Sequence, residues 1–289
     1  MLMKNAHNDI ANIKSFVSGL IRPYSSMKQT IILFYSIIAL SIFWYWPTPS
    51  PFQDSLGNRS IPSGTVVWEK SEEAGNVPDN PLFLEDVFSK KNSSETIVTV
   101  SWKKFFWGSQ KIVAAFFLMG LFPILIVKFV FREKLSDYGV QWGQRFRTFN
   151  NIIIFFPLMI LLGILSSRES GFYSVYPYNP YAFASLTFLV THSILYFFLY
   201  YFSWEFMFRG FIQHGLASSM NAMTAVWIQV LLSTMLHYGH PISEVLGCLG
   251  GGFLWGFLVY RTNSIFAGWV QHAVLGIALD VSLIWFAFH

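Results

Sequence analysis

Membrane-length apolar segments constrain this chain more than any other feature of its sequence. A membrane-spanning helix needs about 20 mostly apolar residues, and seven candidate segments lie near residues 29–46, 111–131, 151–167, 185–216, 222–238, 244–260 and 265–288. Only 12% of the residues are charged, against about 25% in an average soluble domain. We therefore predict an all-α fold, a polytopic membrane helix bundle. It has about seven or eight transmembrane helices, because the fourth segment is too long for one straight span.

Charges and apolar segments divide the chain into five parts. We predict a cytoplasmic N-terminal arm over residues 1–28, a first transmembrane anchor over 29–47, an external loop over 48–110, the second and third transmembrane helices with a basic cytoplasmic loop over 111–184, and a core over 185–289. Most charged residues precede residue 150. Function is therefore expected in the nearly continuous apolar core.

The positions of Lys and Arg predict an orientation in the membrane. Basic residues cluster in the N-terminal arm and in the 132–147 loop, whereas 168–184 and 238–243 contain only Arg168. Because Lys and Arg accumulate in cytoplasmic loops, we predict that the N-terminus lies inside. The first segment is followed by "WPTPSPF" and not by a small-residue cleavage site, which indicates a retained anchor.

Several classes of function are disfavoured by the remaining sequence. The net charge of +4 is explained by the cytoplasmic flanks, so we predict the lipid bilayer as a partner and no nucleic acid. Cys248 is the single cysteine and permits neither a disulfide framework nor a CxxC metal site. The HExxH signature is absent, and we predict no metal and no other cofactor.

Ionisable side chains in the apolar core are the candidate functional residues. They include Glu205, Arg209, His237, His240, His272 and Asp280, which lie within or at the edges of predicted helices. Because charges at mid-membrane are unfavourable, each is a functional-site hypothesis by default. Glu205 and Arg209 are spaced i,i+4 on one helix face, which also fits a structural ion pair.

Depth along the helices predicts which of these side chains meet. At about 1.5 Å per residue, Glu205 and His237 lie at similar depths from a turn near Ser219. Counted from the turn near Asn263, Asp280 matches that depth better than His272 does. We therefore predict a shared site in the outer half of the membrane. A carboxylate or imidazole can activate water there as a general base, and a second imidazole can stabilise an oxyanion, which together allow peptide hydrolysis.

The order of the motifs resembles the CPBP family, also called Abi, as a divergent subgroup. The resemblance covers roughly residues 185 to 285 and depends on "WEFMFRGF", "LHYGHP", a Gly-rich helix, "YRTNSIFAGWVQHAV" and a late Asp. These intramembrane glutamic endopeptidases include type II CAAX prenyl endopeptidases and bacteriocin-processing or immunity proteins. The resemblance implies that Glu205 and His237 activate water, that His272 stabilises the oxyanion, and that Arg209 holds Glu205. Asp280 and His240 are expected to support the pocket.

Three positions depart from the family motifs EExxxR, FxxxH and HxxxN. Trp204 stands at the first glutamate, Ser233 at the Phe, and Gly276 at the Asn. Three interpretations remain open: Glu205 has taken over as the base, the chemistry has changed, or catalysis has been lost. Asp280, two turns beyond His272, is a candidate for partial compensation.

The leading functional prediction is an intramembrane endopeptidase that cuts a membrane-anchored or exported protein or peptide near the outer face. The predicted location is a bacterial inner (cytoplasmic) membrane, crossed several times. The outward site disfavours prenylated CAAX substrates, because such tails are cytosolic. The alternative is a non-catalytic membrane protein, such as an immunity factor or assembly partner, in which Glu205 and Arg209 form a structural pair. A transporter has less support, because no repeated half is present.

Overall fold

Eight helices make up most of the computed structural model, which describes residues 23–47, 66–70 and 96–288. In the described residues they are α1 (Pro23–Trp44), α2 (Trp102–Gly108), α3 (Gln110–Phe131), α4 (Arg145–Ser166), α5 (Leu186–Ala217), α6 (Ala222–Met235), α7 (Ile242–Thr262) and α8 (Phe266–Phe288). The predicted helical membrane bundle is confirmed. The first helix begins at Pro23 instead of residue 29, and residues 1–22 of the predicted arm lie outside the described part.

Six helices of the described residues are long and apolar enough to cross a membrane, namely α1, α3, α4, α5, α7 and α8. The chain is accordingly a multi-pass integral membrane protein. Helix α6 has 14 residues, fewer than the predicted segment 222–238. At 1.5 Å per residue it spans about 21 Å, less than the roughly 30 Å of a bilayer core. Within the described residues, the predicted seven or eight transmembrane helices therefore correspond to six helices long enough to cross a bilayer and the shorter α6.

The segment between α1 and α2 contains two strands that were not predicted. Strand β1 (Val66–Lys70) pairs in parallel with β2 (Thr96–Val100), and Val66 lies opposite Thr96. The bundle is all-α as predicted, but the segment between α1 and α2, predicted to be an external loop, adds this small sheet. Residues 48–65 and 71–95 lie outside the described part.

Helix α5 is the central element of the bundle. It continues without a break from Leu186 to Ala217, although its length predicted more than one straight span. Two stretches of π-helix, Tyr196–Tyr201 and Phe206–His214, lie within it. Wider π turns of this kind are frequent at functional sites. Nearly every residue from Ser203 to Leu216 is buried, so both charged residues of this stretch face protein.

Glycines bring the surrounding helices close together. A Cβ at Gly163 of α4 would lie 2.7 Å from the Leu275 carbonyl oxygen of α8. In the Gly-rich helix α7, the carbonyl groups of Gly252 and Gly256 accept hydrogen bonds from Gln229 and Gln213, at 2.9 and 2.8 Å. Small residues permit such approach between membrane helices. Helix α7 therefore packs tightly against both α5 and α6.

Candidate functional site

Three charged or titratable side chains form a buried cluster between α5 and α8. Glu205 Oε1 accepts hydrogen bonds from Arg209 Nη1 at 3.0 Å and from His272 Nδ1 at 2.8 Å. The side chains of Glu205 and Arg209 are 0% and 2% exposed. The i,i+4 spacing therefore gives the ion pair that the sequence indicated, and His272 of α8 completes it.

The second oxygen of Glu205 is enclosed by protein. Its Oε2 has no hydrogen-bond partner among the described residues, and it lies against Gly268, where an added Cβ would be 2.7 Å away. Glu205 therefore fills a slot that only glycine leaves open on α8. The neighbouring Arg209 and His272 do line a cavity, whereas Glu205 does not.

That cavity has a volume of about 350 Å³ and lies between α4, α5, α7 and α8. Its polar lining includes Arg209, His237, Glu244, Cys248 and His272. These residues come from α5, from the turn after α6, and from α7 and α8. The fold thus gathers ionisable groups that are distant in sequence around one space large enough for part of a peptide.

His237 belongs to a second cluster, with His240 and Glu244. Glu244 Oε1 lies 3.7 Å from His237 Nε2, and Glu244 Oε2 lies 3.1 Å from His240 Nδ1. The Tyr176 hydroxyl donates to Glu244 Oε1 at 2.5 Å. Burial and the Glu244 carboxylate raise the pKa of Tyr176 well above its ordinary value, so this phenol stays protonated and donates. One ligand atom from each of the two histidines and Glu244 lies within 4.8 Å of the others, a spacing that could hold a cation.

Trp204 forms part of the cavity wall and contacts both histidines. Its ring lies 5.5 Å from the His237 ring and 6.2 Å from the His272 ring, edge to face in both cases. No hydrogen bond or ion pair joins Glu205 to His237 among the described residues. Glu205 and His237, the predicted water-activating pair, thus belong to different clusters. Each cluster has one histidine next to the Trp204 ring.

Asp280 forms a buried pair with His192, a residue of neither cluster. The His192 Nε2 and Asp280 Oδ2 atoms are 2.9 Å apart, and both side chains are essentially unexposed. Neither residue lines the cavity. His192 was missed in the sequence, although a histidine inside the apolar start of α5 carries the same signal as the others.

Tyr201 occupies the space left by the glycine at the third-motif position. A Cβ at Gly276 would lie 1.6 Å from the Tyr201 hydroxyl oxygen and 2.5 Å from its Cζ. The Tyr201 ring in turn packs 4.7 Å from the His272 ring. The absence of an Asn side chain at residue 276 is therefore matched by a tyrosine from the facing helix.

We expect Gly276→Asn, which restores the family residue, to destabilise the protein by about 1–3 kcal/mol, because overpacking a filled site is unfavourable. The measurement is unfolding in mixed micelles. Gly247→Ala is the matched control, since nothing lies within 4 Å of its added Cβ. The same Gly276→Asn change in a Tyr201→Ala background should be tolerated; an equal loss in both backgrounds would contradict the steric explanation.

Comparison with known proteins identifies the segment that carries this site. Residues 181–278 match a family model described as type II CAAX prenyl endopeptidase Rce1-like. Neither the curated proteins nor the solved structures gave a match. The matched segment contains both clusters, and the resemblance to the CPBP family is confirmed over this segment.

Proposed function

Because residues 181–278 match the Rce1-like type II CAAX prenyl endopeptidases, we propose that this chain is an intramembrane endopeptidase. It hydrolyses a peptide bond of a membrane-anchored or exported protein or peptide. One observation carries the proposal: a single cavity inside an apolar bundle is lined by His237, His272 and Arg209. Water activation and oxyanion stabilisation both need such groups, held in place before the substrate binds.

His237 has the orientation of a general base. Its Nδ1–H donates to the Ser233 carbonyl oxygen at 2.8 Å, which leaves the lone pair of Nε2 to accept a proton. A ring nitrogen fixed in this way presents one tautomer. His237 therefore removes a proton from water on the outer side of the cavity.

His272 and Arg209 stabilise the negative charge that develops on the oxyanion. Arg209 donates to the oxyanion from the cavity wall, and His272, whose Nδ1–H is bonded to the Glu205 carboxylate, adds an Nε2–H donor when its ring is protonated. The Trp255 ring, stacked 4.6 Å from His272, fixes the plane of the imidazole. In this proposal Glu205 positions His272 and Arg209, whereas the family pattern implied that it activates water directly.

The substrate approaches from the outside in the proposed orientation. With the N-terminus inside, α6 ends and α7 begins at the outer surface, where His237 and Glu244 lie. A cytosolic prenylated tail does not reach that side, so an exported or membrane-anchored protein fits better. The proposed location is a bacterial cytoplasmic membrane.

The test is cleavage by purified protein in detergent. The substrates are pooled quenched fluorescent peptides of randomised sequence, each attached to the outer end of one transmembrane helix. Because general-base catalysis and one oxyanion donor contribute about 100-fold or more each, His237→Ala and His272→Ala should each lower kcat/KM by at least about that factor. His214→Asn is the control, because His214 is on α5 but does not line the cavity. Equal cleavage by all variants would refute the proposal.

A non-catalytic role is the second candidate, and Trp204 favours it. This buried ring stands where the family has its first glutamate. The carboxylate that the family has at this motif position is therefore absent here. In that case the wild type cleaves none of the anchored peptides, and the clusters serve only to hold helices together.

A further inference from the structure

The cavity contains a carboxylate that sequence reasoning did not assign. Glu244, in the first turn of α7, lines the cavity with His237. Its side chain is 15% exposed, whereas that of Glu205 is 0% exposed and enclosed. A general base must come within hydrogen-bond reach of the water that it deprotonates. Of these two carboxylates, Glu244 is the one with that access.

The geometry of Glu244 and His237 suits one shared water. Their facing atoms, Oε1 and Nε2, are 3.7 Å apart, too far for a direct hydrogen bond. A water oxygen beside this gap reaches both atoms at about 2.8 Å, an ordinary hydrogen-bond length. The water then has one hydrogen-bond acceptor on each side, Glu244 Oε1 and His237 Nε2.

Two donors hold Glu244 in this position. The Tyr176 hydroxyl bonds to Oε1, and His240 Nδ1 lies 3.1 Å from Oε2. Hydrogen bonds to both oxygens stabilise the ionised carboxylate. They also fix its plane, so that Oε1 keeps facing His237.

We propose that Glu244 is the catalytic carboxylate that, together with His237, activates the attacking water. The inference rests on the proposed endopeptidase function and deepens it. Trp204 replaces the first motif glutamate on α5, and Glu244 supplies a carboxylate from α7 beside His237. The reactive pair is then Glu244–His237, and Glu205 positions His272.

The chemical step balances without any added reactant. Water transfers a proton to the Glu244–His237 pair while its oxygen bonds to the scissile carbonyl carbon. The resulting oxyanion is stabilised from the Arg209 and His272 side. When the tetrahedral intermediate collapses, the C–N bond breaks and the stored proton passes to the leaving amine nitrogen. The products are a carboxylic acid and an amine, and transfer of the remaining acid proton to the amine gives a carboxylate and an ammonium group.

The matched pair of variants is Glu244→Gln and Glu169→Gln. Glu169 is a second carboxylate at the same end of the bundle, bonded to the Ser243 hydroxyl, but it does not line the cavity. On the anchored fluorescent peptides, Glu244→Gln should lower kcat by about 100-fold or more, the size of a general-base contribution, with KM unchanged. Glu169→Gln should cleave like the wild type. Glu244→Asp should keep a measurable fraction of the rate, since it retains a carboxylate.

The possible results separate this inference from the proposed function. If the wild type cleaves and Glu244→Gln cleaves equally well, the inference is overturned and the endopeptidase proposal stands. If the wild type cleaves nothing, both are overturned. A divalent cation on His237, His240 and Glu244 is the competing use of the same residues. One equivalent of zinc in the purified protein, with activity lost on chelation and restored by zinc, would overturn the metal-free pair.

Discussion

Arg209→Met is expected to lower the free energy of unfolding by about 3–5 kcal/mol, because the Glu205 carboxylate stays buried but loses its ion pair with Arg209. Glu205 is 0% exposed and takes its two hydrogen bonds from Arg209 and His272. The Arg209 guanidinium also lies 5.5 Å over the Trp255 ring, a contact that methionine does not replace in full. The measurement is equilibrium unfolding in mixed micelles of increasing denaturing-detergent fraction, followed by tryptophan fluorescence.

The double variant Glu205→Gln/Arg209→Met shows whether the loss comes from an unpaired charge. Replacing both members of a buried ion pair by groups of similar volume is often close to neutral. We therefore expect the double variant to recover most of the stability lost by Arg209→Met. Arg261→Met, at the exposed end of α7, should change stability by less than about 0.5 kcal/mol, as surface substitutions usually do. A double variant no more stable than Arg209→Met would contradict this explanation.

The Glu205–Arg209 pair could be found from the sequence because it depends on two local properties. These are the unfavourable free energy of a charge in an apolar segment and the spacing of the two residues along one helix. A charge in an apolar segment must face protein, and i,i+4 spacing sets the two side chains on one face. The structure adds His272, whose Nδ1 lies 2.8 Å from Glu205 Oε1. The motif order placed His272 in the site, but no contact with Glu205 was predicted, and the depth estimate favoured Asp280 instead. Only the Glu205–Arg209 pair required no knowledge of how the helices are rotated.

The roles of Glu244 and of the His192–Asp280 pair could not be predicted without knowing how the helices are rotated about their axes. An acidic residue in the first turn of a helix is ordinarily favoured by the helix dipole, so Glu244 carried no unusual signal. Depth along the membrane matched Asp280 to Glu205, yet Asp280 bonds to His192 on α5. Rise per residue gives height along the axis only, and the facing side is set by packing between helices.

Trp204 and Gly276 illustrate a third limit of the sequence. Each departs from a family motif, and sequence alone left open whether function had been lost. In the structure, the space at Gly276 is filled by Tyr201, and the Trp204 ring packs against His237. Both departures are accommodated by residues from other turns or helices, which a motif comparison by position does not include.

His192→Leu is expected to lower the free energy of unfolding by about 3–5 kcal/mol, because removing one partner of a buried histidine–carboxyl pair leaves the other with less compensation for its burial. His192 Nε2 and Asp280 Oδ2 are 2.9 Å apart, and both side chains are essentially unexposed. Their contact joins the N-terminal part of α5 to α8, so the substitution weakens the link between the helices that carry Glu205 and His272. The measurement is the same unfolding equilibrium, with His192→Leu/Asp280→Leu expected to be more stable than the single variant.

Activity separates this structural role from the catalytic support that the sequence assigned to Asp280. Because neither His192 nor Asp280 lines the cavity, the double leucine variant should cleave anchored peptides at a rate close to the wild type at temperatures where both are folded. Val190→Leu, on an exposed part of α5, serves as the control for substitution on this helix. A folded double variant with kcat reduced about 100-fold, the scale of a lost catalytic group, would instead place Asp280 among the residues that organise the active site.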